Sequence, residues 1–202
     1  MARAHLTVNF VSRAQSCPTA TDWEALRRIF QYLHPYPKLG LLYTGKSKTI
    51  ECFVDASLST NDPNARSTSG YFIFTYGDVV AWRCKKQTHV ALSSSEAEYI
   101  AASLACRQVV STKGLLSFIG KCDLIPIIYE DNKTTIVQAK TLETNSLKHI
   151  VKLCFHYIKF EVLQRNVELR WVPSAQQLAD AFTKALPSPK SLEFRHRLVQ
   201  FL

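Results

Sequence analysis

Four carboxylates stand where apolar runs end or begin. Asp55 closes the run over residues 49–54, and Asp131 follows the run over 124–129, with Glu130 just before it. Glu98 lies near the start of a long apolar-periodic stretch that opens at residue 92, and Asp180 lies in a stretch over 175–185. Brought together, four carboxylates repel one another unless cations hold them. A ligand set made only of oxygen suits Mg²⁺ or Mn²⁺ and argues against zinc. Two such ions, about 4 Å apart, can activate a water and stabilise a leaving oxygen at a phosphodiester. Each acid also has a plain structural use. Asp55 could cap a loop, Asp131 with Asn132 could form an Asx turn, and Asp180 could be a solvated helix acid. Ser93 with Glu96 has the spacing of a reciprocal helix cap, which accounts for Glu96 but not for Glu98.

The elements that must carry these acids can be read from periodicity. Residues 49–55 are predicted to be a strand ending in Asp55, and residues 70–76 a second, aromatic strand whose Tyr71, Phe72 and Phe74 read as core. A hairpin turn at Gly77-Asp78 returns the chain through a third strand over 79–83. The stretch after Ser93 predicts a helix reaching about residue 119, with a weak point at Gly114. A fourth strand covers 124–129, a short helix 134–139, a longer helix 148–163, a fifth strand 167–172, and a helix 175–185. A last amphipathic helix carries Leu192, Phe194, Leu198 and Leu202. Hairpin strands first, then strands alternating with helices, give an α/β fold: a five-stranded mixed sheet with helices packed on it. In such a sheet, strand ends and helix starts gather at one edge, where ligands bind.

Ahead of this, residues 1–48 form a short helical segment. Thr19 or Thr21 caps a helix through Leu33 with the stripe Trp23, Leu26, Ile29, Phe30 and Leu33. Pro35 and Pro37 stop it, and residues 39–43 are a short apolar run. Seven of the basic residues and two of the acidic ones fall here, so positive charge is densest in this quarter.

The chain has 202 residues, 47% hydrophobic and 20% charged, and carries a net charge of +9. That suits a polyanionic partner, with nucleic acid foremost. Six scattered cysteines without a C-x-x-C pair read as reduced thiols rather than a zinc site. No secretory leader is visible, and no apolar run approaches the roughly 18 residues of a membrane span. The expectation is a chain that stays inside the cell, cytoplasmic or nuclear, with no membrane contact.

Residues 49–187 resemble the ribonuclease H domain of copia-type LTR retrotransposon Pol polyproteins. The resemblance rests on Phe53-Val-Asp-Ala56, Arg66-Ser-Thr-Ser-Gly-Tyr71, Trp82 with Lys85-Lys-Gln87, the run from Ala91 through Ala101, Asp131-Asn132, Lys148-His-Ile150, His156-Tyr-Ile158 and Gln177-Leu-Ala-Asp-Ala-Phe-Thr-Lys-Ala-Leu-Pro187. Residues 1–48 resemble the end of the preceding reverse transcriptase region, through residues 22–29 and 39–43. No Tyr-x-Asp-Asp is present, so polymerisation by this chain alone is not expected. Residues 188–202 are read as a C-terminal helix.

The resemblance implies a ribonuclease H-like sheet and hydrolysis of the RNA strand of RNA–DNA hybrids during reverse transcription. It implies two Mg²⁺ or Mn²⁺ ions held by Asp55, Glu98, Asp131 and Asp180, with Asp55 bridging. It also decides for Glu98 over Glu96. The partners implied are the hybrid and the reverse transcriptase portion of the same polyprotein. Phosphate contacts are assigned to Arg66, Lys85, Lys86 and Lys133, although Lys85-Lys86 could equally be a solvated sheet edge. His149 and His156, seven apart on one helix face, are read as packing or surface residues. Glu130 departs from the family pattern by adding a charge beside the site, Val151 stands where an Asp commonly follows His-Ile, and no histidine precedes Asp180. The alternative is a catalytically inactive remnant that binds nucleic acid or tethers to a polymerase partner.

Overall fold

A computed structural model of the chain describes residues 2–58, 66–120, 124–140 and 149–184, together with 186, 189, 192, 194, 198, 200 and 201. The elements in chain order are α1 (Ala2–Val11), α2 (Ala20–Leu33), β1 (Leu39–Gly40), β2 (Ile50–Ser57), β3 (Thr68–Thr75), β4 (Asp78–Lys86) and α3 (Ser94–Phe118). They continue with β5 (Ile127–Glu130), α4 (Lys133–Lys140), α5 (His149–Leu163), β6 (Glu168–Trp171), α6 (Asp180–Thr183) and β7 (Gln200–Phe201). Lys148, Ala185, Pro187 and Leu202 lie outside the described residues, as does the side chain of His149.

Five strands form the expected mixed sheet in the order β4-β3-β2-β5-β6. The β2–β3 and β3–β4 pairs are antiparallel, whereas β5 lies parallel to both β2 and β6. Strand alternation divides the core into two faces. Cys52, Val54, Tyr71, Ile73 and Ile128 pack with α3 and α5. Phe53, Phe72 and Phe74 pack on the other face with Leu178, Phe182, Phe194 and Leu198. The aromatic residues of β3 are therefore core, as predicted, and Phe72 stacks on Phe182 at 4.2 Å.

Several boundaries differ from the predicted ones, each for a local reason. The hairpin turn is Tyr76-Gly77, with φ of 55° and 90°. Two consecutive positive φ values match the twist of the flanking strands. Asp78 belongs to β4, where its carboxylate accepts the Thr44 and Gly45 N–H groups at 2.6 and 2.7 Å. Strand β4 runs on to Lys86, so Lys85 and Lys86 are paired strand residues opposite Ser69 and Thr68. Strand β5 begins only at Ile127, after Pro126, which has no N–H to give. Helix α3 runs through Gly114 unbroken.

The helix predicted over 175–185 is instead a 3₁₀ turn at Ser174–Gln176 followed by the single turn α6. Gln177 separates them in an extended conformation. Its buried side-chain amide donates to Val54 O at 2.9 Å and Tyr129 O at 3.3 Å, and its Oε1 accepts the Ala179 N–H at 3.2 Å. These bonds to two strands replace the helical ladder.

Thr19 caps α2, in a reciprocal cap with Asp22. Contacts also cross residue 48. Strand β1 pairs with β7, Asn9 Nδ2 donates to Cys84 O at 2.8 Å, and Ser47 N–H donates to Tyr76 O at 3.0 Å. No helix among the described residues is long and apolar enough to cross a membrane.

Candidate active site

Asp55 shares the face of Phe53, so its carboxylate points toward α6 rather than α3. It is fully buried. The Thr183 hydroxyl donates to its Oδ2, and Lys184 Nζ donates to Oδ1 at 3.1 Å. The same ammonium donates to Asp180 Oδ1 at 2.6 Å. One cation thus joins the two carboxylates. The approach of α6 that allows this depends on Gly70, which lies opposite Asp55 in β3. A Cβ at Gly70 would stand 2.6 Å from Phe182 Cβ.

Asp131 sits just past β5, and continuing the β2–β5 register by two residues beyond Phe53–Tyr129 brings it level with Asp55. Ser174 Oγ donates to its Oδ2 at 2.7 Å, and the Trp171 indole N–H donates to its backbone carbonyl at 3.1 Å. The turn is indeed an Asx turn, but Asn132 makes it. Its Oδ1 accepts the N–H groups of Thr134 and Thr135 at 3.0 and 3.3 Å and so starts α4.

At the start of α3, Ser93 accepts the Glu96 N–H at 3.2 Å, while the Glu96 carboxylate reaches back to the Leu92 N–H at 2.7 Å. The cap is offset by one residue from a reciprocal box, yet Glu96 has the capping use expected of it. Glu98 instead turns into the protein, 6% exposed, and its Oε2 accepts the Ala56 N–H, beside Asp55, at 2.7 Å. Gln87 fixes this helix start against the sheet by donating to Ser69 Oγ and Ala97 O, both at 2.9 Å.

Carboxylate oxygens of Asp55, Asp131 and Asp180 lie within 4.8 Å of one another. Those of Glu98, Glu130 and Asp131 form a second such group, and Asp131 is common to the two. The four acids singled out in the sequence are brought together, and Glu130 joins them. Burial, despite Lys184 and Thr183, pushes the Asp55 carboxyl up to about 6. Burial and the charges of Glu130, Asp55 and Asp131 push Glu98 up to about 11. Burial opposes charge on Lys184, but Asp55 and Asp180 outweigh it and hold the ammonium above its usual range. The donor set, all carboxylate and short of positive charge, fits hard divalent cations.

The basic residues divide. Lys85 and Lys86 end β4 on the same sheet edge as the acids, with Lys85 exposed. Arg66 is exposed just ahead of β3. Lys133 lies 4.6 Å over the Trp171 ring, next to Asp131. Three positions went unread in the sequence. Thr183 and Lys184 depend on α6 being a single turn. Arg13 reaches the site edge from beyond α1, donating to Thr68 Oγ1 at 3.3 Å. His156 is exposed half-way along α5.

No protein-family profile matches the chain. Among solved structures, an RNase H1 isolated from compost, LC11-RNase H1, superposes with a TM-score of 0.52 at 16% identity, covering 67% of this chain and 92% of that one. The foamy viral protease-reverse transcriptase in complex with an RNA/DNA hybrid matches with a TM-score of 0.50 at 10% identity, covering 83% of this chain and 26% of that one. The fold is that of the ribonucleases H.

Sequence relatives narrow this further. The Pol polyprotein of transposon RE2 from Arabidopsis thaliana is 32% identical over 191 residues, 89% of this chain and 12% of that protein. That of transposon TNT 1-94 from Nicotiana tabacum is 27% identical over 183 residues, 91% of this chain and 14% of that protein. The secreted RxLR effector protein 161 of Plasmopara viticola is 41% identical over 105 residues, 51% of this chain and 73% of that protein. Over about nine tenths of its length the chain is homologous to the retrovirus-related Pol polyproteins of plant transposons, and it spans 12–14% of the length of the two transposon polyproteins just named.

Proposed function

We propose that this chain is a divalent-cation-dependent endoribonuclease that hydrolyses the RNA strand of RNA–DNA hybrids, derived from a copia-type retrotransposon and acting in reverse transcription. The observation that carries this reading is the convergence of Asp55, Glu98, Asp131 and Asp180, from four separate elements, at one sheet edge. Mg²⁺ or Mn²⁺ held by these acids would supply an activated water and stabilise the leaving oxygen at a phosphodiester. The chain's own residues do the positioning. Thr183 orients the Asp55 carboxylate, Ser174 orients Asp131, and the Ala56 N–H orients Glu98. Gln177 locks the turn before Asp180 to β2 and β5. Lys85, Lys86, Arg66 and Lys133 flank this edge as phosphate contacts, and discrimination for the hybrid would rest on 2′-hydroxyl contacts in the minor groove.

A second reading is a nucleic-acid-binding remnant without cleavage, favoured by the Lys184 ammonium that already joins Asp55 to Asp180. The substitutions Asp55→Asn and Asp180→Asn separate the two. The nuclease reading expects Mg²⁺-dependent cleavage to fall on the order of 100- to 1,000-fold in each while hybrid binding persists. Cleavage unchanged in both rejects the site, and binding without cleavage in the wild type favours the second reading.

A further inference from the structure

Glu130 has no place in the set of four acids, yet the fold puts it beside them. It lies in β5 two residues after Ile128, so alternation turns it to the same face, toward α3 and Glu98. Its exposure is 0%. Oε1 accepts the Asn132 N–H at 3.1 Å, but Oε2 is buried with no hydrogen-bond partner. A buried carboxylate oxygen without a donor is unfavourable unless a proton or a cation meets it. One carboxylate oxygen from each of Glu98, Glu130 and Asp131 lies within 4.8 Å of the other two, and neither Glu98 nor Asp131 hydrogen-bonds to Oε2. The other contacts of these two acids, to Ala56 and Ser174, do not involve Glu130.

We propose that Glu130 is a fifth cation ligand, forming with Glu98 and Asp131 an oxygen pocket for a divalent ion on the α3 side of β5. The group Asp55, Asp131 and Asp180 makes the neighbouring position on the α6 side, with Asp131 shared. Three hard oxygens select Mg²⁺ or Mn²⁺ over softer ions. This rests on the reading that the chain holds divalent cations at all.

The test is a Mn²⁺ titration of the whole 202-residue chain followed by the electron paramagnetic resonance signal of free Mn²⁺. The wild type is expected to bind two ions. Glu130→Gln, which keeps the side chain's shape, should weaken one of them about tenfold or more and leave the other unchanged. Asp180→Asn should show the converse. Circular dichroism checks that each variant folds, and Glu130→Asp, expected to weaken the same ion, replaces the glutamine variant if that one does not. Unchanged binding of every ion in a folded Glu130 variant overturns the assignment and shows a merely protonated core acid. A wild type that binds no Mn²⁺ overturns the cation reading itself, and this inference with it.

Discussion

Lys184 lays one ammonium across Asp55 and Asp180, but burial outweighs that contact in the acid–base behaviour of Asp55. The Asp55 carboxyl, fully buried, stays raised to about 6 against an ordinary 3.8. A raised carboxyl favours folding below its unfolded value, and that contribution is lost as pH rises through the folded value. In EDTA, Asp55→Asn should therefore gain stability over the wild type between about pH 4 and pH 7, by on the order of 1–3 kcal/mol. Saturating Mg²⁺ should reverse the comparison, because the cation replaces the proton in the wild type only. Thermal melts across that window check it, and a stability difference that does not change with pH contradicts it. At this scale the sequence singled out Asp55, Asp131 and Asp180 through their places at strand ends and in a late helix, and the choice of Glu98 over Glu96 came from the family resemblance. It marked Glu130 only as an added charge beside the site, although the alternation from Ile128 already turned that residue toward α3.

Among the elements, sequence periodicity misjudged α6, and it also missed β7, whose Gln200 and Phe201 pair with β1 inside the span expected to be a C-terminal helix. A continuous helix over 175–185 would have been reasonable from apolar spacing alone. Gln177 breaks it by bonding to carbonyls of β2 and β5, 123 and 48 residues away in sequence. No local pattern encodes such a partner, so Thr183 and Lys184 stayed invisible as neighbours of Asp55. The strands were more legible, because period-two alternation is local. Their ends shifted where Pro126 and the Tyr76-Gly77 turn imposed their own geometry. The packing of α6 on β3 gives a direct prediction. Gly70→Ala puts a methyl 2.6 Å from Phe182 Cβ and 3.1 Å from Thr183 Cγ2. It should cost about 1–3 kcal/mol of stability and displace Thr183 and Lys184 from Asp55. Chemical denaturation and the Mn²⁺ affinity of the same variant measure both effects. A variant as stable as the wild type would show that α6 is held less tightly against β3 than these distances imply.

Across the whole molecule, the net charge of +9 and the basic residues on the site edge suit the proposed hybrid substrate. Helix α1 and the turn after it belong to that edge as well, because Arg13 reaches Thr68 and Asn9 reaches Cys84. Hybrid affinity should fall steeply with salt. On the proposed assignment of one phosphate to each lysine, Lys85→Ala combined with Lys86→Ala should lower the log–log salt slope by about 2. An unchanged slope would make this pair a solvated sheet edge instead. The central claim is most directly tested with one labelled RNA strand, presented to the chain in Mg²⁺ or Mn²⁺ either annealed to DNA or annealed to RNA. The account predicts internal cuts in the RNA of the hybrid alone, abolished by EDTA and by Asp131→Asn. A folded chain that binds the hybrid in the presence of either cation and leaves its RNA intact would contradict it.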